Sequence, residues 1–572
     1  MMGADDTADR VPLPDNILEA IEARLERERP AGWRRLDAHE LKASPRRLAA
    51  AGWSISALQG ELECDGVSDV RVYLDDLFPY SQPIIVAAGA DRNFTWPHVE
   101  VGGYLCLPTT RPDGEPGERI AQHLHWAGNL LSLDESQRRK EFEREFVSYW
   151  AQRASPGATQ IVSLVRAGPP SREIVYYIDG THRAVLADSA AALEAWLRNA
   201  GKNPGRKDIG TSYLLWLSAP PIPSEFPEKG QDVFEHVPPE VLQSILRPGC
   251  PLPILIGAQT TTGAALAGVV VRGASEADLQ RGFRKGRIPY ERVKTSFASR
   301  QLTRGRVARV DGAWIHGRDV DPSYSTLAET TVCIVGCGAI GSIVARLLAQ
   351  SGVGSFILVD HDNLTPPNTS RHALGNASIG ENKTKALAAL LQRDFPHLRE
   401  VRNCPKRFED LQPNDQEAIA GASLILSAGV PFATDAAIDR WRRSKAERVP
   451  HVMAWTEEFA LVGHAVAVFG SDTIHDYFDG NGEPTIALTD WDAAVQTRHV
   501  EAGCGNVFQP HGAIDLHAVV TLAARSALDI LTGTIAVTSR RVWLGDRDRV
   551  LTLGGKVRAA FDRSFTMLDV AK

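Results

Sequence analysis

The sequence lacks three things: a long uninterrupted apolar run, a close pair of cysteines, and an excess of basic charge. No stretch approaches the roughly 20 apolar residues that cross a bilayer as a helix. The nearest, His517–Leu531, is interrupted by Arg525 and Asp529, so no membrane partner is expected. The opening residues MMGADDTADR are acidic and polar, where a secretory signal is basic and then apolar. Seven cysteines, at 64, 106, 250, 333, 337, 404 and 504, include no C-x-x-C. A zinc site of the usual spacing is therefore not expected. With neither a signal nor a spanning run, the protein is placed in the cytoplasm, and in that reducing compartment the scattered, odd-numbered cysteines are expected to be thiols. Five read as core or filler residues, with Cys106 and Cys504 the exceptions. A formal net charge of -7 argues against general, direct nucleic-acid binding.

What is present is the composition of a soluble globular protein, 572 residues with 43% hydrophobic and 23% charged. That length exceeds one core and predicts several domains. The most informative stretch is Thr330–Asp362. An apolar run, Val332–Val335, precedes Gly336, Gly338 and Gly341 in G-x-G-x-x-G spacing, and a helix is predicted over Ser342–Gln350. Such glycines let backbone amides and a helix N-terminus approach an anionic phosphate. From Thr326 onward strands and helices alternate, as in a doubly wound parallel sheet. A nicotinamide-dependent oxidoreductase would use this turn with Asp360 on the ribose, and that reading stands as an alternative.

The run after the second strand carries more. Asp360 and Asp362 form D-x-D, Asn368 and Arg371 form N-x-x-R, and Gly380 and Lys383 form G-x-x-K. On these motifs the segment 300–572 resembles the ThiF-like activating enzymes, which include the ubiquitin-activating enzymes. The resemblance implies ATP with magnesium. Asp360 would hold ribose hydroxyls, while Asn368, Arg371 and Lys383 would contact the triphosphate. It also implies a thioester cysteine in a loop ahead of an apolar helix. Cys504 fits, in HVEAGCGNVFQPHG before a helix predicted from Ile514, with His499 and His511 as candidate bases. Arg304 and Arg306 lie near where relatives place an arginine that crosses a dimer interface, and a homodimer is expected. One segment departs from the family. Ser423–Asp435, SLILSAGVPFATD, has Ser427 and Val430 where aspartates of D-x-T-D-N are usual. Magnesium would then fall to Asp435 or Asp362, and no metal ligand is assigned. A non-catalytic nucleotide-binding scaffold is the reading this departure favours.

Upstream, Pro14–Glu28 has helical periodicity, strands are predicted over Ser54–Cys64, Val70–Leu74 and Ile84–Ala87, and LFPYSQP marks a turn. Helices follow around Ile120–Leu131 and Ser136–Trp150. This order, with WPHVEVGGYLCLPTT at Trp96–Thr110, resembles the ubiquitin-conjugating fold over 14–155. Aligning Cys106 with that family's catalytic cysteine sets Trp96, Pro97 and His98 on its histidine-proline-asparagine motif, and Gly103 on the glycine three before the cysteine. Only Pro97 of the tripeptide matches. His98 replaces the asparagine that supports the oxyanion, a role an imidazole N–H can fill. Between the two, 156–299 reads as a connecting α/β domain: a hairpin in GPPSREIVYYIDGTHRAVL, a helix over Ser189–Asn199, a proline-rich link, and further strands. The run RGFRKGRIPYER at 281–292 reads as a solvated loop.

The expected architecture is therefore an α/β multidomain chain. An N-terminal ubiquitin-conjugating-like α+β domain precedes the connecting domain and a C-terminal Rossmann-like ThiF-type adenylation domain. The whole resembles fused activating and conjugating proteins of bacterial CBASS antiphage operons. That resemblance implies adenylation of a partner's C-terminal carboxylate, thioester formation on Cys504, transfer to Cys106, and ligation to an amine, a lysine by expectation. The partner implied is a CD-NTase-like nucleotidyltransferase or a ubiquitin-like protein.

Overall fold

The computed structural model describes residues 13–28, 32–42, 50–57, 62, 67–89, 93–180, 183–284, 287–500 and 507–570. Cys504 and Cys64 lie outside them. Chain packing separates two compact units. The first contains Met1–Gln160, Ala167–Glu173 and Ser212–Val307; the second contains Ile161–Arg166, Ile174–Thr211 and Ala308–Lys572. The connecting segment is thus shared out between them.

In the first unit, α1 (Asp15–Glu28) buries Ile17, Ile21 and Leu25, one face at helical spacing. Strands β1 (Trp33–Arg35), β2 (Ala51–Ser56), β3 (Val67–Leu74) and β4 (Ile84–Gly89) form an antiparallel meander in that order. The register sets Trp53 opposite Val72 and Val72 opposite Ile85. Their inward side chains meet Ile21, Leu25 and Ile120 in one core, the last from α2 (Pro116–Leu131).

The single helix expected over Ser136–Trp150 is two: α3 (Glu135–Arg144) and α4 (Phe146–Gln152). Glu145, at φ -105 and ψ 24, ends one and begins the other. No proline or glycine forces this break. Packing does, since Phe146 and Trp150 set their rings 6.1 and 4.9 Å from Phe226 while Phe142 packs edge-on against Tyr149 at 4.8 Å. Further on, Pro251–Thr260 and Gly263–Arg272 pair as a long hairpin. The basic run near 281–292 is not all loop, because a helix begins at Tyr290.

The second unit is built on a sheet of eight strands. They are β5 (Thr331–Val335), β6 (Ser355–Val359), β7 (Glu400–Cys404), β8 (Leu424–Ala428), β9 (His451–Thr456), β10 (Val462–Val468), β11 (Ser539–Leu544) and β12 (Thr566–Val570). Their spatial order is β7-β6-β5-β8-β9-β10-β11-β12. The first five run parallel, and apart from the polar edge strand β7 (EVRNC) they read as largely apolar runs, as strands covered on both faces must. Helices α5 (Gly341–Gln350), α6 (Lys383–Asp394), α7 (Phe432–Lys445) and α8 (Ala513–Leu531) accompany them. Residues Leu516, Val520 and Ala527 of α8 join Val344 and Leu348 of α5 in the main core. No described helix is long and apolar enough to cross a membrane.

Candidate nucleotide and cysteine sites

Strand β5 lies between β6 and β8, so the chain leaves its C-terminal end toward opposite sides of the sheet, and a crevice opens at that switch point. A cavity of about 290 Å³ occupies it. Gly336 and Gly338 line it from the end of β5, Asp360 and Asp362 from β6, Gly429 from β8, and Lys383 from the start of α6.

The glycine turn is rigid for identifiable reasons. Gly336 sits at φ +87, and a Cβ there would meet Val430 Cγ1 at 2.7 Å and the Ala428 carbonyl at 2.8 Å. A Cβ on Gly341 would fall 1.9 Å from the Gly336 carbonyl oxygen. Gly338 differs, since nothing lies within 4 Å of its Cβ position, and the space beside it is open. The Asp360 carboxylate accepts from the Cys337 amide (2.8 Å) and the Asp362 amide (2.8 Å), pinning the turn to the end of β6. From the other side, His372 Nε2 bonds the Cys337 carbonyl at 2.7 Å. Cys337 itself is buried, which pushes its thiol well above the usual range. It is a core residue, as expected.

Lys383, 8% exposed, donates to Asp362 Oδ2 at 2.9 Å. Asn382 caps α6 by accepting from the amides of Thr384 and Lys385. Asn368 and Arg371 are placed differently from Lys383. The Asn368 side-chain oxygen Oδ1 accepts from the Thr365 amide (3.1 Å) and hydroxyl (3.0 Å), closing the start of the short helix Pro366–Ser370. Arg371 follows that helix, and its charge, after burial, holds His511 below the usual histidine range. Lys406, Arg407 and Phe408, just past β7, also line the cavity. Sequence reasoning missed them, although the adjacent basic pair in CPKRF was visible.

The two positions where aspartates were expected have other contacts. Ser427 hydrogen-bonds His451 Nε2 at 2.8 Å, both fully buried, and Val430 lies against the Gly336 turn. Of the acids weighed for magnesium, Asp362 lines the cavity, while Asp435 is buried with its Oδ1 4.0 Å from His451. Burial pushes Asp435 up to about 7 and His451 down to about 3. Asp360, His361 and Asp362 bring one ligand atom each to within 4.8 Å of one another.

Around the second cysteine, the flanks are described. His499 pairs with Phe508 across a two-residue ladder and stacks on its ring at 5.5 Å. His511 Nδ1 lies 2.8 Å from the Gln509 carbonyl, and the residue is held near Arg371. The described flanks thus pair with each other at 499–500 and 507–508, and the later one continues to His511 beside Arg371.

In the first unit, Trp96 is held by its indole N–H on the Leu130 carbonyl (2.9 Å) and by Arg138 over its ring (4.1 Å). The chain then turns sharply. Gly103, at φ +82, lies so close to β4 that a Cβ would meet the Ala87 carbonyl at 2.3 Å. The Cys106 amide donates to the His98 carbonyl at 2.8 Å, which brings these two residues together as the alignment expected. Cys106 is exposed. Its thiol is raised by burial of part of its surface, then by the charges of Glu100 and Glu145. His98 has φ +57, and its amide donates to the Tyr149 hydroxyl at 2.7 Å. Burial pushes that phenol up to about 12. Both His98 ring nitrogens face carboxylates, Nε2 at 3.1 Å from Glu141 and Nδ1 at 3.5 Å from Glu145. These glutamates, over 40 residues downstream on another element, carried no sequence signal. Arg304, which the resemblance sets near a dimer interface, donates to the Pro227 carbonyl at 2.7 Å and is half-buried.

Comparison with known proteins agrees with this layout. Residues 315–542 match the ThiF family and residues 29–157 match prokaryotic E2 family B. An ATP-dependent ubiquitin transferase-like protein Cap2 of Vibrio cholerae serotype O1 is 25% identical over 267 residues, 42% of each chain. A Cap2 of Pseudomonas aeruginosa is 33% identical over 121 residues, 20% of this chain and 22% of that one. Mouse adenylyltransferase and sulfurtransferase MOCS3 is 46% identical over 68 residues, 12% of this chain and 15% of that one. The chain thus spans about two fifths or less of the length of these relatives. Among solved structures, E. coli MccB with MccA-N7isoASN aligns over 43% of this chain and 66% of that one, at 16% identity and a TM-score of 0.31.

Proposed function

From a ThiF domain joined to a prokaryotic E2-family domain in one chain, we propose an ATP-dependent enzyme that activates a protein's C-terminal carboxylate and ligates it to an amine. The observation that carries this reading is the cavity at the strand ends. It unites the glycine turn, two acids, a buried lysine and an adjacent basic pair, which is more than a dinucleotide site uses. Gly336, Gly338 and the start of α5 would take phosphate oxygens on backbone amides. Lys383, Lys406 and Arg407 would offset the charge that develops as pyrophosphate leaves. The lining acid Asp362 suits a magnesium ion travelling with the nucleotide. Asp360 would meet the ribose with whatever acceptor capacity its two amide bonds leave.

ATP is the substrate that drives the sequence. The partner's carboxylate oxygen attacks the α-phosphorus and pyrophosphate leaves. Cys504 sulfur then displaces AMP, and Cys106 sulfur displaces Cys504 from the acyl carbon. An amine finally takes the acyl group from Cys106. Each thioester keeps the carboxylate activated without exposing the adenylate to water. The Cap2 relatives, named ATP-dependent ubiquitin transferase-like proteins, support the transferase activity; a role in CBASS antiphage defence, with a CD-NTase-like nucleotidyltransferase or ubiquitin-like protein as the activated partner, is part of the same proposal. We read the active species as a cytoplasmic homodimer.

The test is exchange of labelled pyrophosphate into ATP with candidate partner proteins and with the same proteins lacking their C-terminal residues. Exchange that requires the intact C-terminus supports activation. NAD binding without exchange would favour an oxidoreductase, and ATP binding without exchange or thioester a scaffold.

A further inference from the structure

We propose that the Tyr149 hydroxyl is the oxyanion donor of the Cys106 site: it hydrogen-bonds the thioester carbonyl oxygen as an attacking nucleophile turns that oxygen into an alkoxide. The proposal rests on the reading that Cys106 carries an acyl group. It gives to a phenol the part that the alignment sets on the His98 imidazole.

The polar hydrogens first expected in this role are already spent. His98 has Nε2 3.1 Å from Glu141 and Nδ1 3.5 Å from Glu145, so whichever nitrogen carries the proton turns it toward a carboxylate. The Cys106 amide donates to the His98 carbonyl at 2.8 Å. Tyr149 is different. It lies on α4, 3% exposed, with Phe142 edge-on to its ring at 4.8 Å. Its oxygen accepts from the His98 amide at 2.7 Å, and among the described residues nothing accepts the phenolic hydrogen. One residue, His98, thus holds Cys106 on its carbonyl and Tyr149 on its amide. The thiol of Cys106 is exposed, so an acyl group on it is open to attack.

The surroundings keep this phenol a neutral donor. Burial is the main cause that pushes it up to about 12, and the charges of Glu145, Cys106 and Glu141 push the same way, so the sulfur lies within electrostatic reach of the ring oxygen. A buried donor meets little competition from water, which strengthens its bond to a charge that forms during reaction. The His98 amide on the phenolic oxygen polarises the O–H further, since hydrogen bonds in a chain reinforce one another. In the step proposed, a nucleophile's nitrogen adds to the thioester carbon and the carbonyl pair moves onto oxygen. Tyr149 O–H donates to that oxygen and keeps its proton. Collapse restores the C=O bond and breaks the C–S bond, and the Cys106 sulfur leaves with the proton that the nitrogen sheds. Such a donor serves every nucleophile alike, because the alkoxide forms whichever one attacks.

The test uses the full chain carrying Cys504→Ala, acylated at Cys106 by exchange with the glycylglycine thioester of mercaptoethanesulfonate. Discharge to free lysine and to hydroxylamine is followed by mass spectrometry of the Cys106 peptide. Adding Tyr149→Phe should slow both by about 10²–10³-fold, the range for losing one oxyanion donor. That variant also leaves the His98 amide without its acceptor, so a second one separates holding from donating. Replacing Tyr149 by meta-fluorotyrosine keeps the oxygen and makes the phenol the stronger acid. Discharge to both nucleophiles should then be faster than in the parent, because a stronger acid donates more strongly to an alkoxide. A phenol that only holds His98 would leave the rates unchanged or lower, since the fluorinated oxygen is the poorer acceptor. Tyr149→Phe within about tenfold of the parent, below the range for such a donor, or a fluorotyrosine chain no faster than the parent, overturns the proposal. If Cys106 is not acylated in the parent while exposed Cys250 is, the transfer reading fails and takes the proposal with it.

Discussion

At the scale of single residues, charge and burial decide what each group does. Lys383 is buried and paired with Asp362 at 2.9 Å, the kind of partner a buried basic side chain requires. Lys383→Ala should lower pyrophosphate exchange by roughly 10²–10³, the scale of losing one transition-state donor. A fall of less than about tenfold, far below that scale, would remove it from the charge-stabilising set. Asp435 and His451 make a second case. Asp435 rises from 3.8 to about 7, so the folded chain keeps a proton that the unfolded chain releases, and stability falls as pH climbs from about 4 to 7. His451 falls from 6.5 to about 3, which makes stability rise with pH over that lower window. The two slopes oppose each other between about pH 4 and 6.5. Asp435→Asn removes one of them, and the urea midpoint of the variant should climb steadily with pH up to about 6.5 while that of the parent stays flatter. Identical profiles would show that Asp435 does not titrate differently on folding.

At the scale of elements, the glycine turn separates packing from binding. Gly341→Ala places a methyl group 1.9 Å from a carbonyl oxygen and should destabilise the second unit. Gly338→Ala meets nothing within 4 Å, so the melting temperature should barely change while ATP affinity falls, because the new methyl group projects into space a phosphate needs. Isothermal titration with ATP beside a thermal melt distinguishes the two effects, and unaltered affinity would place the nucleotide elsewhere. This turn was legible because strand, glycines and helix start are adjacent in the chain. The break at Glu145 was not, because its cause is Phe226, 81 positions away and brought close only by the packing of α4. The same holds for Ser427 and Val430. Their departure from the family was visible, but their contacts with His451 and the Gly336 turn come from strand order.

At the scale of the molecule, two domains in one chain imply an order of events that single variants can expose. Cys504→Ala should abolish every thioester while leaving pyrophosphate exchange intact. Cys106→Ala should let thioester accumulate on Cys504 and stop conjugation, as read on non-reducing gels. Normal conjugates from the second variant would remove the N-terminal domain from the relay. The sequence by itself determined the parallel sheet, the G-x-G-x-x-G turn, the acids after the second strand and the cysteine following Trp96–His98. Each of these is written in neighbouring residues, where local backbone preference and spacing suffice. Tertiary structure alone decided that Lys383 pairs with Asp362, that Lys406 and Arg407 share their cavity, and that Glu141 and Glu145 face His98. Those groups come from separate strands and helices, and only the folded core fixes the distances through which their charges act.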